Sequence, residues 1–150
     1  MLNVSRLKDC KIFEDLDDAL LQKLAPIATI RDYQKNQYIK KEGEESKNFY
    51  IVLSGKIVFE TAVYGETVIR LGTANKDDYF GESALIPPYE TTTDRMALEE
   101  SKLIVIDGVK LREMLESDYA MGFYFMRKVS QMLSTQLHRV REQLIHSHYG

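Results

Sequence analysis

Apolar and polar positions change their period twice along the chain. Over residues 14–25, EDLDDALLQKLA, Leu16, Leu20, Leu21 and Leu24 recur at helical spacing and share one face. Asp15 or Asp17 can cap this helix, acids fill its first turn where the helix dipole favours them, and Pro26 ends it. Between residues 27 and 107 the helical period gives way to short extended runs at 27–33, 37–41, 48–53, 56–63, 67–71, 77–80, 92–99 and 102–107. The run 48–53 is too dense in β-formers for a surface strand, whereas 56–63 alternates, with Ile57, Phe59 and Thr61 on one face and Val58 and Glu60 on the other. Polar turns at Gly43-Glu44-Glu45-Ser46, Ser54-Gly55 and Tyr64-Gly65-Glu66 separate the runs. Eight short strands with turns at close spacing predict a sandwich or barrel.

After Asp107-Gly108 the helical period returns. Residues 109–117 form a short helix with Leu111, Met114 and Leu115 inward, and Asp118 caps the longest element, which runs to about His146. Met126, Val129, Leu133, Leu137, Val140 and Leu144 make a continuous apolar stripe along it. At 1.5 Å per residue this helix reaches on the order of 40 Å, while a domain of this size has a radius of gyration of about 15 Å. The distal half of the stripe therefore needs a partner, and a second copy of the helix over 118–146 is the economical one, giving a two-stranded coiled coil and a homodimer.

The 150 residues suit one domain with its own core, divided into an N-terminal helical part (1–26), the strand region (27–107) and the C-terminal helices (108–150). A net charge of −3 gives no nucleic-acid surface over the chain as a whole, and the basic residues Lys128, His138, Arg139 and Arg141 read as a solvated helix face. Cys10 is the one cysteine, so no disulfide forms within a chain, which suits a reducing cytoplasm and leaves no ligand set for an iron–sulfur cluster. No secretion signal and no membrane span is expected. His138, His146 and His148 lie on the last helix or its tail and form no catalytic or metal constellation, so no enzyme is expected.

The chemistry concentrates in residues 78–97, DYFGESALIPPYETTTDRMA. Gly81, without a Cβ, can bring backbone close to a ligand. Ser83 to Ile86 is long enough for about one helical turn, whose first N–H groups favour an anion, and Pro87-Pro88 forbids its continuation. A glycine, the carboxylate of Glu82 and a stub of helix are suited to a sugar phosphate; a tight turn between two strands accounts for the same residues.

The stretch Phe80-Gly81-Glu82-Ser83-Ala84-Leu85-Ile86 resembles the phosphate-binding cassette of cyclic-nucleotide-binding domains, the family of the catabolite activator protein, kinase regulatory subunits and cyclic-nucleotide-gated channels. Gly43-Glu44 and Phe49-Tyr50-Ile51-Val52-Leu53-Ser54-Gly55-Lys56-Ile57 match upstream, and the resemblance covers nearly the whole chain in order. It implies a mainly β fold with flanking helices, a double-stranded β-roll of jelly-roll type, with an N-terminal helix and a long C-terminal dimerisation helix. It implies that Gly81, Ser83 and Ala84 offer donors to a phosphate, that Glu82 accepts from a ribose hydroxyl, and that Arg139 lies near the purine. The ligand implied is a cyclic nucleotide, cyclic AMP or cyclic GMP.

One place departs from the family pattern. The arginine that pairs with the cyclic phosphate falls, counting back from Ala97, on Thr91, with Thr92 beside it and Arg95 four positions later. Hydroxyls offer no counter-charge, so the expectation is a regulatory sensor that binds a small anionic ligand weakly, at tens of micromolar or worse, about −6 kcal/mol. The alternative is a degenerate, ligand-free dimerisation or protein-interaction module. Relatives of this kind among transcription factors continue into a helix-turn-helix domain; here only residues 147–150 follow the long helix, so no direct DNA binding is expected, and the sequence names no output partner.

Overall fold

The structure, a computed structural model, describes residues 2–65 and 67–149; Met1, the expected turn residue Glu66 and the terminal Gly150 lie outside them. The chain forms two compact units, Met1–Glu113 and Met114–Gly150.

In the first unit a short helix, α1 (Val4–Lys8), is capped by Asn3, whose Oδ1 accepts from the Ser5 N–H at 3.0 Å, and a 3-10 turn follows at Lys11–Phe13. Elements this short show no helical period in sequence. Helix α2 (Asp18–Leu24) begins where Asp17 Oδ1 accepts from the Leu20 N–H at 3.0 Å, so of the two candidate caps Asp17 is the one used. Pro26 sits inside a 3-10 turn at Ala25–Ile27 that ends α2.

All eight expected strands are present: β1 (Ala28–Tyr33), β2 (Tyr38–Lys40), β3 (Asn48–Ser54), β4 (Ile57–Val63), β5 (Thr67–Ala74), β6 (Tyr79–Phe80), β7 (Asp94–Ala97) and β8 (Ser101–Asp107). They form two four-stranded antiparallel sheets, in the orders β1-β8-β3-β6 and β2-β7-β4-β5. Tyr33, Tyr50, Val52, Phe80, Leu103 and Val105 of the first sheet meet Ile57, Ala74 and Ala97 of the second in one core, with Ile39 and Phe59 packed against it. Each Val, Leu, Ile or Phe side chain among these contributes about 1.5–3 kcal/mol when fully withdrawn from water. The residues between them in sequence, Phe49 and Ile51 in β3 and Ile104 and Ile106 in β8, are fully buried as well. Both faces of these two strands are covered, which is why residues 49–52 read as an unbroken apolar run.

Helix α3 (Gly108–Ser117) starts at Asp107, whose Oδ1 accepts from the N–H groups of Val109 and Lys110, each at 3.1 Å. In the second unit Asp118 Oδ1 accepts from the Met121 N–H at 3.1 Å and opens α4 (Tyr119–Tyr149), a helix of 31 residues. Helix α4 has two apolar faces. Met121, Phe125 and Val129 are buried, whereas Tyr119, Phe123, Leu133, Leu137, Val140 and Leu144 are exposed. Val129 thus leaves the stripe read from sequence, and the exposed row starts about two turns earlier than expected, at Tyr119. Among the described residues no helix is long and apolar enough to cross a membrane.

Candidate functional site

The site grows out of the junction between β6 and β7. Strand β6 pairs with β3 through Tyr50 opposite Phe80, and the two rings stack at 4.8 Å between centres. The chain then turns sharply at Gly81, with φ +93°. A Cβ there would lie 2.6 Å from the Asn48 carbonyl oxygen and 3.0 Å from Tyr50 Cδ2, so glycine is required for close approach to β3. A single 3-10 turn, Glu82–Ala84, follows. It is shorter than the expected stub of helix and starts one residue earlier. The Ala84 N–H donates to the Gly81 carbonyl at 3.0 Å and the Leu85 N–H to the Glu82 carbonyl at 2.9 Å, so the turn itself takes up the Ala84 donor. Ser83 and Ala84 are buried, and Glu82 is half-buried.

The far end of the cassette is held by the polar turn after β2. Gly43 donates its N–H to the Thr91 carbonyl at 2.8 Å, Thr91 donates back to the Glu44 carbonyl at 2.8 Å, and Ser46 donates to the Tyr89 carbonyl at 2.8 Å. The second upstream motif thus anchors the cassette through its backbone. Of the two threonines at the expected arginine place, Thr92 is exposed and Thr91 is buried, and Thr91 Oγ1 has no hydrogen-bond partner.

Arg95 is the residue that the tertiary fold places most decisively. Strand β7 puts Ala97 on the inner face opposite Ile57, and alternation puts Arg95 on the same face, opposite Phe59. Its side chain is only 3% exposed, and its Nε and Nη1 have no hydrogen-bond partner. The guanidinium carbon lies 5.6 Å from the Phe80 ring centre and 5.8 Å from that of Phe59, and these two rings meet edge-on at 5.5 Å. Burial pushes the Arg95 pKa down, while the Glu82 carboxylate and the Tyr50 hydroxyl favour the charged form. Burial pushes Tyr50 up, opposed by a hydrogen bond with Asn48. The roll interior therefore holds a buried cation. Sequence reasoning registered Arg95 but left this place without a counter-charge. The signal that locates it is the alternation Arg95-x-Ala97 in a strand whose other inward residue is apolar.

Sequence reasoning also missed Tyr50 and Phe59 as neighbours of the site, and it missed Arg112. Arg112 donates from Nε to the Ala84 carbonyl at 3.1 Å and stacks its guanidinium 3.6 Å from the Tyr89 ring centre. The first of these contacts spans 28 positions in sequence and the second also joins α3 to the cassette, so no local pattern announces them. Arg139 is exposed on α4, in the second unit. Among the described residues no three His, Cys, Asp or Glu side chains come together in a way that could hold a metal ion.

Two packed sheets, a short turn strapped between β6 and β7, and buried polar groups on the inner walls define a regulatory roll domain. The chain belongs to the cyclic nucleotide-binding domain family, whose model matches residues 30–118. A cAMP-dependent protein kinase regulatory subunit of Candida albicans is 36% identical over 92 residues, covering 60% of this chain and 19% of that protein. The anaerobic regulatory protein of Bacillus subtilis is 28% identical over 134 residues, covering 87% of this chain and 56% of that one. This chain therefore spans only a part of both relatives. A solved structure from Geobacter metallireducens GS-15, described as a candidate cyclic nucleotide-binding protein, superimposes with a TM-score of 0.81 at 27% identity, over 91% of this chain and 99% of that one.

Proposed function

We propose that this chain is a regulatory sensor that takes a small anionic ligand of the cyclic-nucleotide type between the two sheets of its roll and works as a homodimer through α4. The observation that carries this reading is the buried, unpartnered polar set on the inner walls: Arg95 Nε and Nη1 and Thr91 Oγ1. An unsatisfied buried donor costs about 1–3 kcal/mol, more when charged, and a core that gains nothing from it would replace it with an apolar side chain. A bound anion supplies the missing acceptors. Glu82, half-buried at the mouth of the cassette turn, is the acceptor for a ligand hydroxyl, and Gly81 and Ser83 shape the wall beside it. Arg139 is a further contact that the family resemblance suggests.

The alternative, a ligand-free interaction module, draws on Thr91 standing where the family places its arginine. Isothermal calorimetry with cyclic AMP and cyclic GMP separates the two. Saturable binding of either at micromolar dissociation constants, about −8 to −6 kcal/mol, is expected. Absence of heat for both up to millimolar ligand favours the interaction module.

A further inference from the structure

We infer that Arg95, carried on strand β7, is the group that meets the ligand's negative charge, and that it limits the site to monoanions. This inference rests on the proposed ligand-binding function and names the residue that sets its specificity. The family pattern puts the charge-pairing side chain in the cassette loop, at the place held here by Thr91. In this chain the cation stands four residues further on, inside the roll. A guanidinium presents its donors in a rigid fork suited to phosphate oxygens, and here two of its nitrogens are buried without acceptors. The rings of Phe59 and Phe80 flank it without giving it one. Thr91 Oγ1, buried and equally without a partner, adds a neutral donor on the chain that leads into the same strand.

Charge balance then selects the ligand. Among the described residues Arg95 is the one buried charged side chain. A cyclic phosphodiester brings one negative charge to one guanidinium. A 5′-monophosphate brings about −1.5 to −2 at pH 7, and its second charge would be buried with no second cation to pair it. A nucleoside brings no charge and leaves the Arg95 donors unsatisfied. The ligand class is therefore a compact monoanion on a nucleoside-sized body, in preference to the dianionic or neutral forms of the same nucleoside.

The test is calorimetry on native protein and on Arg95→Met, Arg95→Lys and Thr91→Arg, with cyclic AMP, cyclic GMP, the two 5′-monophosphates, adenosine and guanosine. Native protein is expected to bind a cyclic nucleotide at least tenfold more tightly than the matching monophosphate or nucleoside. Arg95→Met should lose at least tenfold in affinity for the cyclic form, Arg95→Lys should lose less, and Thr91→Arg should gain less than tenfold because the charge is already met. The ligand-free Arg95→Met protein should melt at or above the native temperature, because two buried donors without acceptors leave the core. A protein that binds none of the six ligands removes the proposed function itself. Native binding that Arg95→Met leaves unchanged keeps that function and overturns the role of Arg95, as does equal affinity for mono- and dianion. Should Arg95→Met fail to fold, the Arg95 Nε–H resonance of native protein decides: a shift at ligand saturation supports the inference, and an unmoved resonance overturns it.

Discussion

Burial pushes Cys10 and Arg95 alike towards their neutral forms, and the two respond differently because of what they are. Arginine keeps its charge at any ordinary pH. The Cys10 thiol is 2% exposed and donates to the Arg6 carbonyl at 3.6 Å. Burial, helped by Asp77 and Asp9, raises its pKa from 9.0 to about 11. A thiol that ionises later in the folded than in the unfolded chain contributes stability that is complete below pH 9 and is lost as pH rises to 11. Native protein is therefore expected to lose about 1–3 kcal/mol more than Cys10→Ala between pH 8 and pH 11, measured by urea unfolding at each pH. The comparison cancels the tyrosines, whose upward-shifted groups titrate in both proteins. At neutral pH the folded thiol should resist alkylation and react only on unfolding.

At the scale of elements, the cassette is held from three directions: by β3 behind Gly81, by the 43–46 turn at Thr91 and Tyr89, and by Arg112 of α3 at Ala84 and Tyr89. Gly81 is the least replaceable of these contacts, because it combines a left-handed φ with a backbone oxygen 2.6 Å from where a Cβ would stand. Gly65 offers the control, with φ +81° and nothing within 4 Å. Gly65→Ala should cost about 1 kcal/mol, the conformational part alone, and Gly81→Ala about 2 kcal/mol or more. Equal melting temperatures for the two variants would mean that the cassette moves away from β3 at no cost.

At the scale of the whole molecule, the proposed homodimer rests on α4. An apolar row on α4 repeats every seven residues in two series, Tyr119, Met126, Leu133 and Val140, and Phe123, Leu137 and Leu144, exposed except at the half-buried Met126, with Ser130 the one polar member between them. This repeat fits the seam of a two-stranded coiled coil, the contact proposed for the homodimer. Light scattering after gel filtration should give a dimer for native protein and a monomer for the Leu137→Glu, Leu144→Glu double variant. Each leucine contributes roughly 1.5–3 kcal/mol of burial in each subunit. A native protein that stays monomeric at high concentration removes the dimer reading.

The sequence by itself determined the eight strands, the change of period at Asp107, the cap at Asp118, and the cassette glycine, and it narrowed the cap of α2 to Asp15 or Asp17. Each of these is a local matter: a period of two or 3.6, a side chain that reaches its own backbone, a residue type suited to one turn. It also showed that Thr91 holds a place where a charge was expected. Only the tertiary structure decided where Arg95 lies. Alternation places Arg95 on one face of β7, but which face is inward depends on β4 and on Ala97 packing opposite Ile57. The same holds for Val129, whose face is settled by burial, whereas spacing alone admitted it to the stripe. Arg112 finds Ala84 across 28 residues, because side-chain partners at that separation are chosen by the path of the chain in space.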